Sequence, residues 1–341
     1  MQHEILAPLP LHHADGQLNQ PGWARQAYWQ YQRSAVPASS WRIKEWDYYA
    51  VVSPEGFAFS LTASNLGYAG LYALCVVDLN QGRFWQTDAL QALPLARHAF
   101  PETSDSGSIH FRNSNLDLHI QRIDGEHRLR FASPRMAGPD GKGIDGELYF
   151  RQPPQESLNI ATAWPNSKAF YYNTKLNCME VSGKFRHAGK HYQLNPVRDL
   201  GVLDWGRGVW TYRNTWYWAS ASGFIDGEAF GFNFGYGFSD RSPASENLLL
   251  YRGRAHKLDQ IIFHFDRSDW LKPWRISSND GRVELEFIPR VDRNSHFNAL
   301  LIASEQHQVF GHYRGHVTLD NGQVLQLGHL PGFAEEVRNR W

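Results

Sequence analysis

The chain has 341 residues, 34 of them basic and 34 acidic, and a pI near 7.3, so it lacks the clustered positive charge that phosphate-backbone binding needs, and nucleic acid is a poor partner for it. Two cysteines, Cys75 and Cys178, are too few for a disulfide framework or a thiolate zinc site, which leads us to expect a reducing, cytoplasmic setting. Thirteen Trp, 15 Tyr and 20 Phe, beside 29 Gly, make an aromatic-rich chain long enough for two domains.

The opening residues, Met1-Gln-His-Glu-Ile-Leu6, lack the basic and then apolar profile of a targeting segment, and no apolar run approaches the ~18 residues of a membrane span. Peripheral contact with a membrane stays open. Pro21 to Tyr31 reads as a short helix. From about Trp41 onward, apolar and polar residues alternate with a period of two between Gly, Asn, Asp and Pro punctuation, the pattern of antiparallel strands. Ser108–Arg112, Leu116–Gln121 and His127–Phe131 are such strands, and Asp124-Gly125 is a tight hairpin signal between the last two. Stretches rich in Pro, Gly and Ser follow at 133–143 and 151–156. They suggest two domains, 1–165 and 166–341.

In the second half, Gln260–Phe265, Arg282–Ile288 and Gly322–Leu327 alternate in the same way, with turns at Asp280-Gly281 and Asn321-Gly322. The tail Phe333–Trp341 reads as a second helix. The fold class is therefore all-β: two antiparallel barrels or sandwiches in tandem, with few short helices.

The densest aromatic stretch lies between Asp204 and Phe238. Within Glu228–Phe238, the even positions Phe230, Phe232, Phe234, Tyr236 and Phe238 share one face, and Gly231, Asn233, Gly235 and Gly237 share the other. The glycine face is nearly bare backbone, which marks close approach by a ligand or another chain. A neighbouring strand from Val209 to Ala219 sets Trp210, Tyr212, Asn214, Trp216 and Trp218 on one face, and the two strands are expected to pair. These rings read either as sheet core or as the lining of an apolar cavity.

Gly201-Val-Leu-Asp204-Trp205-Gly206-Arg207-Gly208 precedes this pair. Asp204, with Arg207 three residues on, reads as a catalytic carboxylate or as half of a structural ion pair. Glu246 and Asn247, between a polar loop and an apolar strand, and Glu180 are further candidates, with Glu45, Asp47, Asp226 and Asp240 as additional acids. Two carboxylates beside an apolar cavity permit acid–base work. The histidine pairs His187/His191 and His312/His316 fall on a hairpin turn and a strand-like run, so hydrogen-bonded histidines are expected there and no metal. No phosphate-binding loop, dinucleotide fingerprint or Gly-x-Ser-x-Gly elbow is present, and no cofactor is expected.

Arg42–Tyr49, Leu203–Trp210, Trp216–Gly223, Gly231–Gly237, Glu246-Asn247 and Gly253–Leu258 together resemble the bacterial domain-of-unknown-function 2804 family, over almost the whole chain. More remotely, the layout is similar to the tandem lipocalin-like proteins that include carotenoid hydratase, tocopherol cyclase and the AttH-like proteins. In those, an Asp-His-Glu-Trp-Gly segment opens the strand bearing the active-site acid. Here Asp204-Trp205-Gly206 takes that place without the His-Glu pair, and Arg207 follows. The remote resemblance implies two lipocalin-like barrels and a proton-donating Asp204, with Glu246 or Glu180 as the alternative acid if Asp204 and Arg207 orient each other.

The expected function is a cofactor-independent acid–base enzyme, a hydratase, isomerase or cyclase, acting on a lipid- or isoprenoid-like molecule. Asp204, Arg207, Glu246 and Glu180 are its candidate catalytic residues. Trp205, Trp210, Trp216, Trp218, Asn233, Tyr236 and Asn247 are the candidate ligand contacts. A non-catalytic carrier of apolar ligands is the alternative, and a glycan-binding or glycan-cleaving protein is a third reading.

Overall fold

The computed structural model describes residues 2–93, 100–165, 167–299 and 302–340. Three short strands open the chain: β1 (Leu9–Pro10), β2 (Gly22–Ala24) and β3 (Trp29–Gln30). The first large sheet then takes β4 (Ile43–Ser53), β5 (Phe57–Asn65), β6 (Ala69–Asp78), β7 (Arg83–Ala92), β8 (Gly107–Arg112), β9 (Asp117–Ile123), β10 (Glu126–Ala137), β11 (Lys142–Arg151), β12 (Leu158–Ala163), β13 (Phe170–His187), β14 (Lys190–Leu194) and β15 (Leu200–Val209), with β2 on β12. The second takes β16 (Arg213–Ile225), β17 (Glu228–Tyr236), β18 (Leu248–Tyr251), β19 (Arg254–Lys257), β20 (Ile261–His264), β21 (Trp274–Ser278), β22 (Val283–Ala299), β23 (Ile302–Thr318) and β24 (Val324–Arg340). Both sheets are antiparallel and curled, in tandem. The protein is all-β. Among the described residues no helix is long and apolar enough to cross a membrane.

The two sheets share a strand order. In the first, β4 to β7 form one meander and β8 to β11, continued by β13, another, and the late strand β15 pairs with both β4 and β13. In the second, β16 to β19 and β20 to β23 are the meanders, and the last strand, β24, pairs with β16 and β23. Each sheet is thus a curled ring stitched by its final strand, with no ladder among the described residues between β7 and β8, or between β19 and β20. Side chains span these breaks: Asn115 Nδ2 donates to Thr87 Oγ1 at 3.0 Å, and the Phe263 amide donates to the Tyr236 hydroxyl at 3.2 Å.

The tight turns fall at the Asx-Gly signals. Asp124-Gly125 joins β9 to β10 with both residues at positive φ, 51° and 78°, the conformation that a two-residue hairpin requires. Two expectations fail. Pro21–Tyr31 is not a helix, because its rings serve different cores: Trp23 joins the cluster under β12 while Trp29 and Tyr31 enter the first barrel, a division that one helical face cannot make. Phe333–Arg340 is not helical either. Ala, Glu and Arg there favour a helix in isolation, but β24 is laddered on both sides, so sheet pairing overrides propensity.

The chain passes from the first sheet to the second at Trp210–Tyr212, so the strands after residue 165, β13 to β15, still belong to the first sheet. The aromatic run expected as one strand from Val209 to Ala219 is therefore two strand ends in different sheets. Its second part, β16, pairs with β17 from Tyr217 to Ile225, and its earlier residues, Arg213–Trp216, pair among the described residues with β24 alone.

β15 is buried along its whole length, and parity divides its side chains. Leu203, Trp205 and Val209 join the core of the first barrel, whereas Val202 packs with Phe310 and Phe333 of the second sheet. Opposite β15, a bulge in β13 frees Asn177 and Cys178 from the ladder. Asn177 Nδ2 donates to Ser220 Oγ at 2.9 Å and to the Phe232 carbonyl at 3.0 Å, and the Cys178 amide donates to Ser222 Oγ at 3.0 Å. The sheets are therefore docked by hydrogen bonds as well as by apolar contact.

Candidate active site

The layer between the sheets is built by alternation. From β13, Tyr171, Asn173 and Lys175 face it; from β15, Asp204 and Gly206; from β16, Trp216 and Trp218; from β17, Gly231, Asn233 and Gly235; and from β24, Glu335. Gly206 and Gly235 give the room. A β-carbon on Gly206 would lie 2.5 Å from the Trp46 ring, and one on Gly235 would lie 3.3 Å from Glu246 Oε2. The bare face of β17 thus receives Glu246 and, at Gly231, Cys178 of the other sheet.

Asp204 and Lys175 are directly opposed in the β13–β15 ladder, with Lys175 Nζ 2.9 Å from Asp204 Oδ2, both nearly buried. Asn173 Nδ2 donates to Asp204 Oδ1. The ammonium also sits 4.1 Å above the Trp218 ring, a cation–π contact that helps to hold the charge away from water. Trp218 Nε1 donates to Asn233 Oδ1 at 2.6 Å, and Asn233 Nδ2 donates to the Glu246 carbonyl at 2.7 Å.

Two further carboxyls close the layer. Burial pushes the proton affinity of Glu246 up, Lys175 pulls it down and Asp204 adds to the rise. The Tyr171 phenol donates to Glu246 and is held well above its usual range, by burial first and then by the Glu246 and Asp204 charges. Glu335 accepts from Trp216 Nε1 at 2.8 Å and from Gln308 Nε2 at 2.9 Å. Burial raises its pKa to about 7 against the opposing effects of the Trp216 hydrogen bond and Lys175. Gln308 Oε1 accepts in turn from Arg293 at 2.7 Å and from Tyr48 at 3.2 Å. Lys175 acts on both Glu246 and Glu335, yet burial still raises the proton affinity of each. The half-buried indoles of Trp46 and Trp216, with Trp210 and Phe238 packed between them, form the rim.

Of the residues singled out in the sequence, Asp204, Glu246, Trp216, Trp218 and Asn233 meet in this layer, with Trp210 at its edge. Arg207 and Trp205 do not. They point into the first barrel, where Arg207 lies 4.0 Å over the Trp205 ring and pairs with Asp47 at 3.0 Å, beside Glu45, Arg122 and Arg33. Asp204 and Arg207 are thus not partners, because three residues along a strand reverse the face. Glu180 lies beyond the β13 bulge in a half-exposed pair with Arg151. Tyr236 faces the second barrel, stacked on Tyr217 at 4.4 Å. Asn247 holds backbone, accepting from the Gly235 amide and donating to the Asp259 carbonyl. His187 is buried with Nε2 2.8 Å from the Ala137 carbonyl, His191 is exposed, and His312 stacks on His329 at 4.1 Å.

Tyr171, Asn173, Lys175, Gln308 and Glu335 were not foreseen. A lysine inside the otherwise apolar and neutral run Phe170–Met179 is the one signal that stood in the sequence, since a cation in such a strand must find a buried partner.

Fold and site together define an all-β protein of two curled antiparallel sheets with a buried carboxyl–lysine layer between them. The chain belongs to the family described as a domain of unknown function, DUF2804, whose profile matches residues 2–341. No curated protein matches it. Solved structures similar to it include a provisionally named AttH of Nitrosomonas europaea, at 15% identity over 88% of this chain and 92% of that one with a TM-score of 0.49. CghA crystallised with Sch210972 shows 10% identity over 87% and 88%, TM-score 0.46, and kievitone hydratase of Nectria haematococca 9% over 87% and 88%, TM-score 0.48.

Proposed function

We propose that the protein is an acid–base enzyme acting on an apolar small molecule held between the two sheets, in a reaction of the hydratase, isomerase or cyclase type. The observation that carries this reading is the gathering of Asp204, Glu246 and Glu335 around Lys175 in a layer walled by indoles. A carboxyl protonated near neutral pH can deliver a proton to a carbon–carbon double bond or a carbonyl, and a second, ion-paired carboxylate can take one from water or from the neighbouring carbon. Glu335, with a pKa of about 7, has the property of the donor, and Asp204, paired with Lys175, that of the acceptor. This assignment exchanges the role the remote resemblance implied for Asp204. The burial of all three carboxyls, each under 7% exposed, disfavours glycan cleavage, which needs an open, wet groove.

The test is mass spectrometry of small molecules extracted from the purified protein and from its Asp204→Asn variant made in the same host. An apolar molecule that accumulates in the variant and is converted by the unaltered protein supports the enzyme. Release of one unchanged molecule from both supports the carrier alternative instead. If Glu335 is the donor, turnover falls as pH rises through about 7.

A further inference from the structure

Asp204 spends its two oxygens on two neighbours two residues apart on β13, Asn173 on Oδ1 and Lys175 on Oδ2. Because a carboxylate in an ion pair only accepts, the amide nitrogen of Asn173 must be the atom turned toward Asp204, which fixes where its oxygen lies. That oxygen, Asn173 Oδ1, is buried in a fully buried residue and has no hydrogen-bond partner among the described residues. The nearby Tyr171 phenol gives its proton to Glu246 and meets Asn173 on the amide's donor side, a contact that lowers the phenol's pKa, so it does not fill the amide oxygen. On the other side of Asp204, the Lys175 ammonium has three N–H groups and, among the described residues, one oxygen partner, Asp204, with the Trp218 ring below it. The edge of Asp204 is thus flanked by one unfilled acceptor and one donor with capacity to spare.

We propose, resting on the acid–base reading above, that the substrate or product of this site is an apolar molecule bearing a hydroxyl group, an alcohol or enol, whose oxygen accepts from Lys175 Nζ and whose proton is donated to Asn173 Oδ1. A hydroxyl fills both roles at once. A hydrocarbon fills neither and leaves Asn173 Oδ1 unpaired in a dry site; an ether fills only the first. A site built to bond a hydroxyl rejects its deoxy analogue strongly, because the buried partner is then stranded. The rim of indoles supplies the contact for the rest of the molecule.

The experiment uses the full chain and three probes of nearly equal shape, 2-decalol, its methyl ether and decalin, with affinities measured by ligand-observed NMR. The expected order is alcohol first, about tenfold or more tighter than the ether and the hydrocarbon, with that preference lost in Asn173→Leu. Equal binding of the alcohol and its methyl ether by the unaltered protein overturns the inference and leaves the apolar-ligand reading standing. So does a preference that survives in Asn173→Leu. The probe series in the unaltered protein decides the matter even where the variant does not fold. If none of the three probes binds, the apolar-ligand reading itself falls, and this inference with it.

Discussion

At the scale of single residues, Lys175 has the largest expected effect. Replacing it by Met strands the Asp204 carboxylate in a nearly dry layer, and breaking a buried pair from one side costs about 3–5 kcal/mol. Denaturant unfolding of Lys175→Met should show that loss at pH 7, and much less of it in Lys175→Met combined with Asp204→Asn. Glu335 acts through pH. Its proton is held more tightly in the fold, to about 7, than in the unfolded chain, near 4.5, so folding takes up a proton between these values. Its effect on stability is harmless below about 4.5, grows unfavourable as pH rises, and levels off above about 7, by about 3 kcal/mol at most. Glu335→Gln should abolish that slope in melts run from pH 4 to 8. Its absolute stability at low pH should fall, since the new amide meets the Gln308 Nε2 donor. Asp204, Glu246, Trp216, Trp218 and Asn233 were legible from composition and parity. Lys175, Asn173 and Glu335 were not, because their placement depends on the register of β13 on β15 and of β24 on β16, which no local pattern encodes.

At the scale of elements, the glycines of β15 and β17 decide how closely the sheets approach. A methyl group at Gly206 would press on Trp46, a ring packed against Trp210 at 4.3 Å, so the strain cannot be relieved by one free side chain. Gly206→Ala is expected to cost about 1–3 kcal/mol, the usual range for overpacking, and to alter indole fluorescence from the rim. The alternation of β17 showed in the sequence that its bare face receives something close. That the occupant is Glu246 and the β13 bulge was hidden, because a bulge such as Asn177–Cys178 leaves no periodic trace. β24 misleads for the opposite reason: Ala334, Glu335 and Glu336 carry helical propensity, while they are held by partners more than a hundred residues away on one side and 25 to 29 on the other.

At the scale of the whole molecule, neither sheet has a clean outer surface where it meets the other. Tyr48, Ala50, Val52, Ala58, Cys75 and Val77 of the first sheet and Trp218, Phe310 and Phe333 of the second form one shared apolar cluster. A chain cut at the Trp210–Tyr212 crossing would expose that cluster. Residues 1–211 alone are expected to elute as oligomers or aggregates on size exclusion, and to return to a single species when residues 212–341 are co-expressed. The strand content and its hairpins were readable from turn signals and alternation. The shared ring order, with β15 and β24 as the stitching strands, was not, since it rests on pairings such as Gly201 with Val51 that join distant parts of the chain.

That stitching order sets a timetable for biosynthesis. β4 ends at Ser53, and the strand that completes its edge, β15, begins at Leu200. At about 5–20 residues per second, a nascent chain leaves the β4 edge uncovered for on the order of ten seconds or more. For that interval, an apolar strand with open N–H and C=O groups invites pairing with a neighbouring polysome-bound copy. The charges within this strand, Lys44, Glu45 and Asp47, are buried in the finished protein. Until β15 is made they are expected to be solvated near that edge, where charge opposes such pairing.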